Sequence, residues 1–83
     1  MTTFQFDLIL SGIKQASHHD LQHLENELTQ QGCLQPNPRN DKYGVRVSIA
    51  VEADSFTQAI YLGTQYIGRI QGVRLSVRSV EFN

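Results

Sequence analysis

The segment Val45–Glu52 constrains the fold more than any other part of the chain. Its sequence, V-R-V-S-I-A-V-E, alternates four β-branched residues with arginine, serine, alanine and glutamate. A period of two places the β-branched side chains on one face of a strand and the mostly polar ones on the other. The segment therefore predicts a central strand in a sheet that is covered from one side.

Length and cysteine content limit how such a chain is stabilised. Its 83 residues predict a single domain spanning 1–83, near the lower size at which a core forms without disulfides. Cys33 is the one cysteine, so no internal disulfide can form, and we expect a small apolar role for it in the reducing cytoplasm. The start, M-T-T-F-Q-F-D-L-I-L, has no basic leader, which predicts neither a signal peptide nor a membrane span.

The charge distribution argues against a nucleic-acid partner. The formal net charge is −1, and the five arginines are spread between Arg39 and Arg78. Binding to a phosphate backbone requires a concentrated basic face. We therefore expect no nucleic-acid binding.

The N-terminal half predicts a strand followed by a helix. Large apolar residues alternate with mostly polar ones over Thr3–Ser11, which indicates a half-covered strand. Ser17 and Asp20 have the spacing of a capping box, and Gly32 is placed to end a helix that reaches Gln31. The predicted buried stripe of this helix is Leu21, Leu24 and Leu28.

The segment between the first helix and the central strand is rich in turn-forming residues. We predict a very short strand at Cys33–Gln35 and a turn at Asn37–Asp41, before a central strand over Tyr43–Ala53. Pro36 and Pro38 cannot donate hydrogen bonds to a neighbouring strand, so this segment belongs at a sheet edge.

The C-terminal half predicts a second helix and a last strand. Asp54 or Ser55 caps the helix, and Gly63 favours a close approach of the helix to the sheet. Apolar alternation over 73–78 indicates the last strand, with a bulge or a frayed end where the pattern changes at 79–82. The apolar stripe predicted for this helix is Phe56, Ala59, Ile60, Gly63 and Ile67.

This order predicts a ferredoxin-like split βαβ fold of the α+β class, β-α-short β-β-α-β, with an antiparallel or mixed sheet and both helices on one face. A three-stranded βαβαβ arrangement is the alternative. Right-handed crossovers lead us to expect the two central strands to be parallel. The short second strand would then leave one edge of Tyr43–Ala53 unpaired.

The histidines of the first helix are the only metal-like pattern. His19 and His23 lie four residues apart and so on one helix face, but two imidazoles supply only half of a zinc site. We favour the interpretation that these histidines belong to a solvated helix face. We therefore predict no metal and no cofactor.

Charged residues on the uncovered sheet face allow two interpretations. Arg46, Arg74 and Arg78 could bind an anion there, and Asp7 and Glu52 could instead pair with arginines across strands. We favour ion pairing. Aromatic residues are missing from the outward positions, so stacking of RNA bases on this face is not expected.

No sequence pattern indicates catalysis. The segment after Gly12, S-G-I-K-Q-A-S, lacks the glycine-rich phosphate-binding patterns and the loop of the small ferredoxin-like acylphosphatases. No basic residue closely flanks Cys33 to activate its thiol. We expect a protein that is not an enzyme.

The chain contains F-D-L near its start, Q-Q-G-C at the end of the first predicted helix, V-R-V-S-I-A-V-E-A-D-S-F-T-Q-A-I, and I-Q-G-V-R-L-S-V further on. Together these stretches resemble a small α/β domain found at the N-terminus of certain bacterial helix-turn-helix proteins. The corresponding motifs of that domain read G-C-x-D, R-E-A-x-S-x-x-x-A-I and P-G-A-x-L. The resemblance implies the fold, whereas Leu34–Pro36 departs from the acidic pair after the cysteine. No helix-turn-helix follows Asn83 in this sequence, so DNA binding by that route is not expected. The matching residues are Gly32, Cys33, Glu52, Ala53, Ser55, Ala59, Ile60, Gly72 and Leu75.

These features favour a non-catalytic interaction domain that forms a homodimer, through the exposed edge of Tyr43–Ala53 or through the second helix. One alternative is a small inhibitor or antitoxin-like regulatory protein that binds another protein. A second is a sensor of a small ligand or anion on the open sheet face. The interface candidates are Tyr43, Val45, Val47, Leu62, Tyr66 and Phe82.

Overall fold

The computed structural model describes residues 2–12, 15–70 and 75–82, which form a four-stranded sheet and two helices. This is the α+β class that the sequence predicts. In chain order the elements are β1 (Thr2–Ser11), α1 (His18–Gln30), β2 (Leu34–Asp41), β3 (Gly44–Ala53), α2 (Phe56–Gly68) and β4 (Ser76–Phe82).

The sheet has the order β2-β3-β1-β4, and every pair of neighbours is antiparallel. This order and connectivity are compatible with the predicted split βαβ arrangement. The expectation that the two central strands are parallel is wrong, because β1 and β3 pair antiparallel, with Phe6 opposite Ile49. The crossover through α1 makes β2 parallel to β1, and the hairpin then reverses the chain so that β3 lies between them.

The second strand is much longer than the sequence analysis predicts. It runs over Leu34–Asp41, including the stretch assigned to a turn, and pairs with β3 at positions from Gly44 to Ala50. A register shift follows Leu34, where Gln35 has a φ of 49°. The prolines fit because β2 is an edge strand. The predicted unpaired edge of β3 is therefore absent over this length.

Both helices cover the same face of the sheet, as predicted. Leu24 and Leu28 of α1 and Ala59 and Ile67 of α2 belong to one buried cluster together with side chains from the two central strands. The strand members of this core are Phe6, Leu8, Leu10, Val45, Val47, Ile49, Val51 and Ala53.

The predicted helix boundaries are confirmed by their caps. The Asp20 amide donates to Ser17 Oγ and the Ser17 amide donates to Asp20 Oδ2, both at 3.1 Å, which completes a capping box. Gly32, with a φ of 94°, follows α1, and Ser55 Oγ caps α2 by accepting from the Gln58 amide. Within the described residues, no helix is long and apolar enough to span a membrane.

The last strand contains the predicted bulge. Val77 pairs with Leu10 and Ser79 with Ile9, so Arg78 is the extra residue. Beyond it, Val80 and Phe82 face Leu8 and Phe6 of β1. The bulge thus moves these apolar side chains to the helix-covered side of the sheet. The strand begins at Ser76, and the predicted start at 73 lies outside the described residues.

Candidate functional site

A buried carboxylate lies within a cluster of polar side chains on the helix-free face of the sheet. Asp7 of β1 is 2% exposed. It accepts hydrogen bonds from Ser48 Oγ at 2.6 Å and from Arg46 Nη1 at 2.9 Å, and Arg39 Nη2 lies 3.5 Å away. Hydrogen bonds and opposite charges of this kind offset the removal of a carboxylate from water.

Arg46 ties all four strands together. From β3 it reaches Asp7 on β1, Asp41 on β2 and Glu81 on β4, at distances of 2.9, 2.9 and 2.8 Å. Its Nε, Nη1 and Nη2 atoms each face a carboxylate oxygen of the protein. This favours the ion-pairing interpretation of the open face over an anion site at Arg46.

The same contacts shift the acidity of the carboxyls. Burial by itself raises the pKa of Asp7, but the hydrogen bonds from Ser48 and Arg46 and the charges of Arg39 and Arg46 outweigh it and hold that pKa below its ordinary value. Hydrogen bonds from Arg46 and from the Lys42 amide likewise lower the pKa of Asp41. Both carboxyls are therefore ionised at neutral pH.

The structure brings together only part of the predicted charged set. Asp7 and Arg46 meet, whereas Glu52 is exposed and makes no ion pair with any residue that the structure describes. Arg74 lies outside the described residues. Arg78 is exposed and lines a different feature, a cleft at one end of the sheet.

Three charged residues that form ion pairs with Asp7 or Arg46 were not predicted as members of this set: Arg39, Asp41 and Glu81. Asn37, Arg39 and Asp41 alternate at a period of two, which is a strand signal, but the prolines and asparagines around them favour a turn by composition. Glu81 lies beyond the bulge. The alternation could therefore have indicated that Arg39 and Asp41 lie on one face of a strand, but it gives no indication for Glu81.

The cleft lies at the sheet end where β1 finishes and the β2–β3 turn begins, and its volume is about 650 Å³. Two cationic side chains border it, from the turn and from β4. The described residues that line it are Leu10, Ser11, Gly12, Lys42, Tyr43, Gly44 and Arg78.

The second surface feature combines a strand edge with aromatic rings. β4 pairs only with β1, so its other edge has no strand partner among the described residues. The Phe56 ring centroid lies 5.2 Å from that of Phe4 and 4.7 Å from that of Phe82. Phe56 is 38% and Phe82 61% exposed. We call Phe4, Phe56 and Phe82 the aromatic patch.

The predicted interface candidates differ in exposure. Val45 and Val47 are fully buried in the core, so a surface role for them is wrong. Their side chains face the helices, as the alternation along β3 predicts. Because β3 is paired with a strand on each side, they do not lie at a sheet edge. Leu62 and Tyr66 are half-buried against the core, whereas Tyr43 and Phe82 are exposed.

The histidines of α1 and Cys33 were the remaining candidates for a metal site and for a reactive thiol. His23 Nε2 lies 3.9 Å from Glu27 Oε1 on the same helix. Among the described residues, no group of three or more histidine, cysteine or acidic side chains is placed to hold a metal ion. Burial raises the pKa of the Cys33 thiol to about 11, so the unreactive protonated form dominates at neutral pH.

Comparison with known proteins gives no direct indication of function. No protein-family model, no curated protein and no solved structure matches this chain. The resemblance to the N-terminal domain of helix-turn-helix proteins accordingly stays a prediction.

Proposed function

We propose that this protein is a non-catalytic interaction domain that forms a homodimer through the outer edge of β4 and the adjacent aromatic patch. The observation that carries the proposal is the difference between the two edges of the sheet. A strand edge with unpaired amides and carbonyls is a template for another strand unless it is protected.

The β2 edge is protected by its sequence. Pro36 and Pro38 cannot donate hydrogen bonds, and the register shift beside Gln35 interrupts the strand. β4 contains no proline over Ser76–Phe82. β4 also has a bulge, at Arg78, but none of its residues lacks an amide donor, so its edge is the better of the two for adding a strand.

The aromatic patch adds apolar area beside the same edge. Phe82 is at the end of β4 and contacts Phe56 edge to face, yet most of its ring surface is in water. Burial of such a ring in an interface is favourable by about 25 cal/mol for each Å² removed from water.

A second copy of the chain is the partner that fits this surface. Antiparallel pairing of two β4 strands around a two-fold axis is self-complementary, because the backbone amides of each edge can donate to the carbonyls of the other. With its centre near Ser79, such pairing brings each Phe82 opposite the first residues of the partner's β4. The net charge of −1 opposes association only weakly.

The non-catalytic part of the proposal is supported by how the polar side chains are used. Asp7 and Arg46 are engaged with one another and with further partners in ion pairs across the sheet. Cys33 is buried with a raised pKa. Asp7 and Arg46 are therefore used in ion pairs, and the Cys33 thiol is shielded from solvent. A general acid, base or nucleophile would instead have to be within reach of a substrate.

The test is the mass of the purified protein by sedimentation velocity, over concentrations from about 1 μM to about 1 mM. We expect a monomer–dimer equilibrium. Ser79→Lys should weaken the dimer at least about tenfold, because it places two like charges near the two-fold axis.

Asn37→Lys is the matched control, since it adds the same charge to an exposed position on the other edge strand, β2. It should leave the dimer constant within about twofold. A strict monomer at every concentration would contradict self-association, and equal loss in both variants would contradict the choice of edge.

A further inference from the structure

We infer that the cleft at the end of the sheet is a binding site for a small aromatic anion, such as a carboxylate or phosphate monoester on a single ring. This inference goes beyond the proposed dimer and does not depend on it. It follows from the size of the cleft, its two cations and its exposed aromatic ring.

The size and character of the cleft suit a small organic molecule. Its volume of about 650 Å³ lies within the range of about 300–1,000 Å³ that is typical of ligand pockets. Apolar atoms provide most of the lining surface, and polar groups come from Ser11, Lys42 and Arg78. A mainly apolar concavity with a few converging polar groups is the usual form of such sites.

The charge of the cleft selects an anion. Lys42 and Arg78 line it, and no acidic residue in the described part of the chain does. Unlike Arg39 and Arg46, neither of them has a carboxylate within 4.0 Å among the described residues. Two cations at one cleft without a protein counter-ion attract a ligand anion.

Asp41, the acidic residue next to Lys42 in the chain, already has hydrogen-bond partners. Asp41 precedes Lys42, but its Oδ2 accepts from Arg46 Nε at 2.9 Å and its Oδ1 from the Lys42 amide at 2.7 Å. These hydrogen bonds hold the carboxylate to Arg46 and the turn. The Lys42 ammonium instead lies 4.9 Å from the centroid of the Tyr43 ring, in the geometry of a cation–π contact.

Tyr43 selects the aromatic part of the ligand. Its side chain is 50% exposed and it borders the cleft, so part of its surface is available for contact with a ligand ring. Gly12 and Gly44 also line the cleft, and their lack of side chains lets a flat ring lie close to the backbone.

The test is a titration followed by two-dimensional amide NMR, with phenyl phosphate and benzoate as probes. We expect saturable shifts at Ser11, Gly12, Tyr43 and Gly44. Inorganic phosphate should bind more weakly because it has no ring, and benzyl alcohol should give no saturable shift because it has no charge. The relative affinity of the two anions identifies the preferred head group.

Arg78→Gln and Lys42→Gln should each raise the Kd for the better probe by about fivefold or more, because each removes one charged contact. Arg69→Gln is the matched control: it removes an exposed arginine that does not line the cleft and should change the Kd by less than about twofold. The amide spectrum of each variant shows whether it is folded.

Absence of saturable shifts with either anion up to about 10 mM would overturn the inference. Equal weakening by Arg69→Gln and Arg78→Gln would also overturn it, because the effect would then reflect overall charge. Shifts confined to residues outside the cleft would have the same consequence.

Discussion

Asp7 is the residue whose environment is most demanding. A carboxylate that is 2% exposed is stable only when its charge is balanced and its oxygens accept hydrogen bonds. Ser48 and Arg46 supply those hydrogen bonds from β3, and Arg39 adds charge from β2. The side chain therefore couples three strands and is sensitive to its protonation state.

Replacement of Asp7 by asparagine should lower the free energy of unfolding by about 2–4 kcal/mol at pH 7, because Arg46 and Ser48 lose a charged partner at a buried position. Urea denaturation followed by circular dichroism measures this. Glu52→Gln, at an exposed position on β3, should change the value by less than about 0.5 kcal/mol.

The pH dependence of the same pair of proteins checks the cause. The folded state holds the pKa of Asp7 below its ordinary value, so the unfolded chain takes up a proton first as the pH falls. The stability due to ionised Asp7 is complete above its unfolded pKa of about 3.9 and is lost as the pH drops through the lower folded pKa. The Asp7→Asn protein should lose less stability than the unaltered protein over that interval, and identical slopes would contradict this origin.

Among the packing contacts between elements, α2 approaches the sheet closely at Gly63. A Cβ atom built there would lie 3.0 Å from Ile49 Cδ1 and 3.2 Å from Phe6 Cε2 and Cζ. Phe6 is fully buried, so its ring has little room to move. Gly63 therefore allows the close approach of helix and sheet that its position in the sequence predicts.

Gly63→Ala should destabilise the protein by about 1 kcal/mol. A gain in helix propensity of about 1 kcal/mol opposes an overpacking penalty of about 1–3 kcal/mol. Thermal and urea unfolding measure the difference. Gly68→Ala, where a Cβ meets nothing within 4 Å, gains propensity without overpacking and should be neutral or slightly stabilising; a stabilised Gly63→Ala protein would show that the core yields at this point.

At the scale of the whole molecule, the two sheet edges are chemically different. β2 is interrupted and contains prolines, whereas β4 is uninterrupted beyond its bulge at Arg78 and ends at the aromatic patch. An assembly that uses only one edge closes as a dimer and does not continue into a fibre. The proposed dimer follows from this difference.

Phe82→Ser should weaken the dimer at least about tenfold while lowering the stability of the monomer by no more than about 1 kcal/mol, because the ring is already 61% exposed. Sedimentation velocity and urea unfolding separate the two effects. Tyr61→Ser is the matched control, since Tyr61 is equally exposed on the side of α2 opposite Ala59 and Gly63. Similar loss of dimer in both variants would indicate that α2 contributes the interface.

Features that depend on neighbours along the chain could be predicted from the amino-acid order alone. Alternation at a period of two defined β1 and β3, the Ser17–Asp20 capping box and Gly32 set the limits of α1, and the change of pattern near Ser79 indicated a bulge. Each is encoded locally, since side-chain periodicity and capping hydrogen bonds involve residues a few positions apart.

Which strands lie side by side, and which residues their outward side chains contact, could be read only from the folded chain. The length of β2 depends on hydrogen bonds to β3, which overcome the turn composition around Pro36 and Pro38. The contacts of Arg46 with Asp7, Asp41 and Glu81 join four strands. Residues far apart in the chain make these contacts, and their spacing in the sequence carries no signal until the strand order is known.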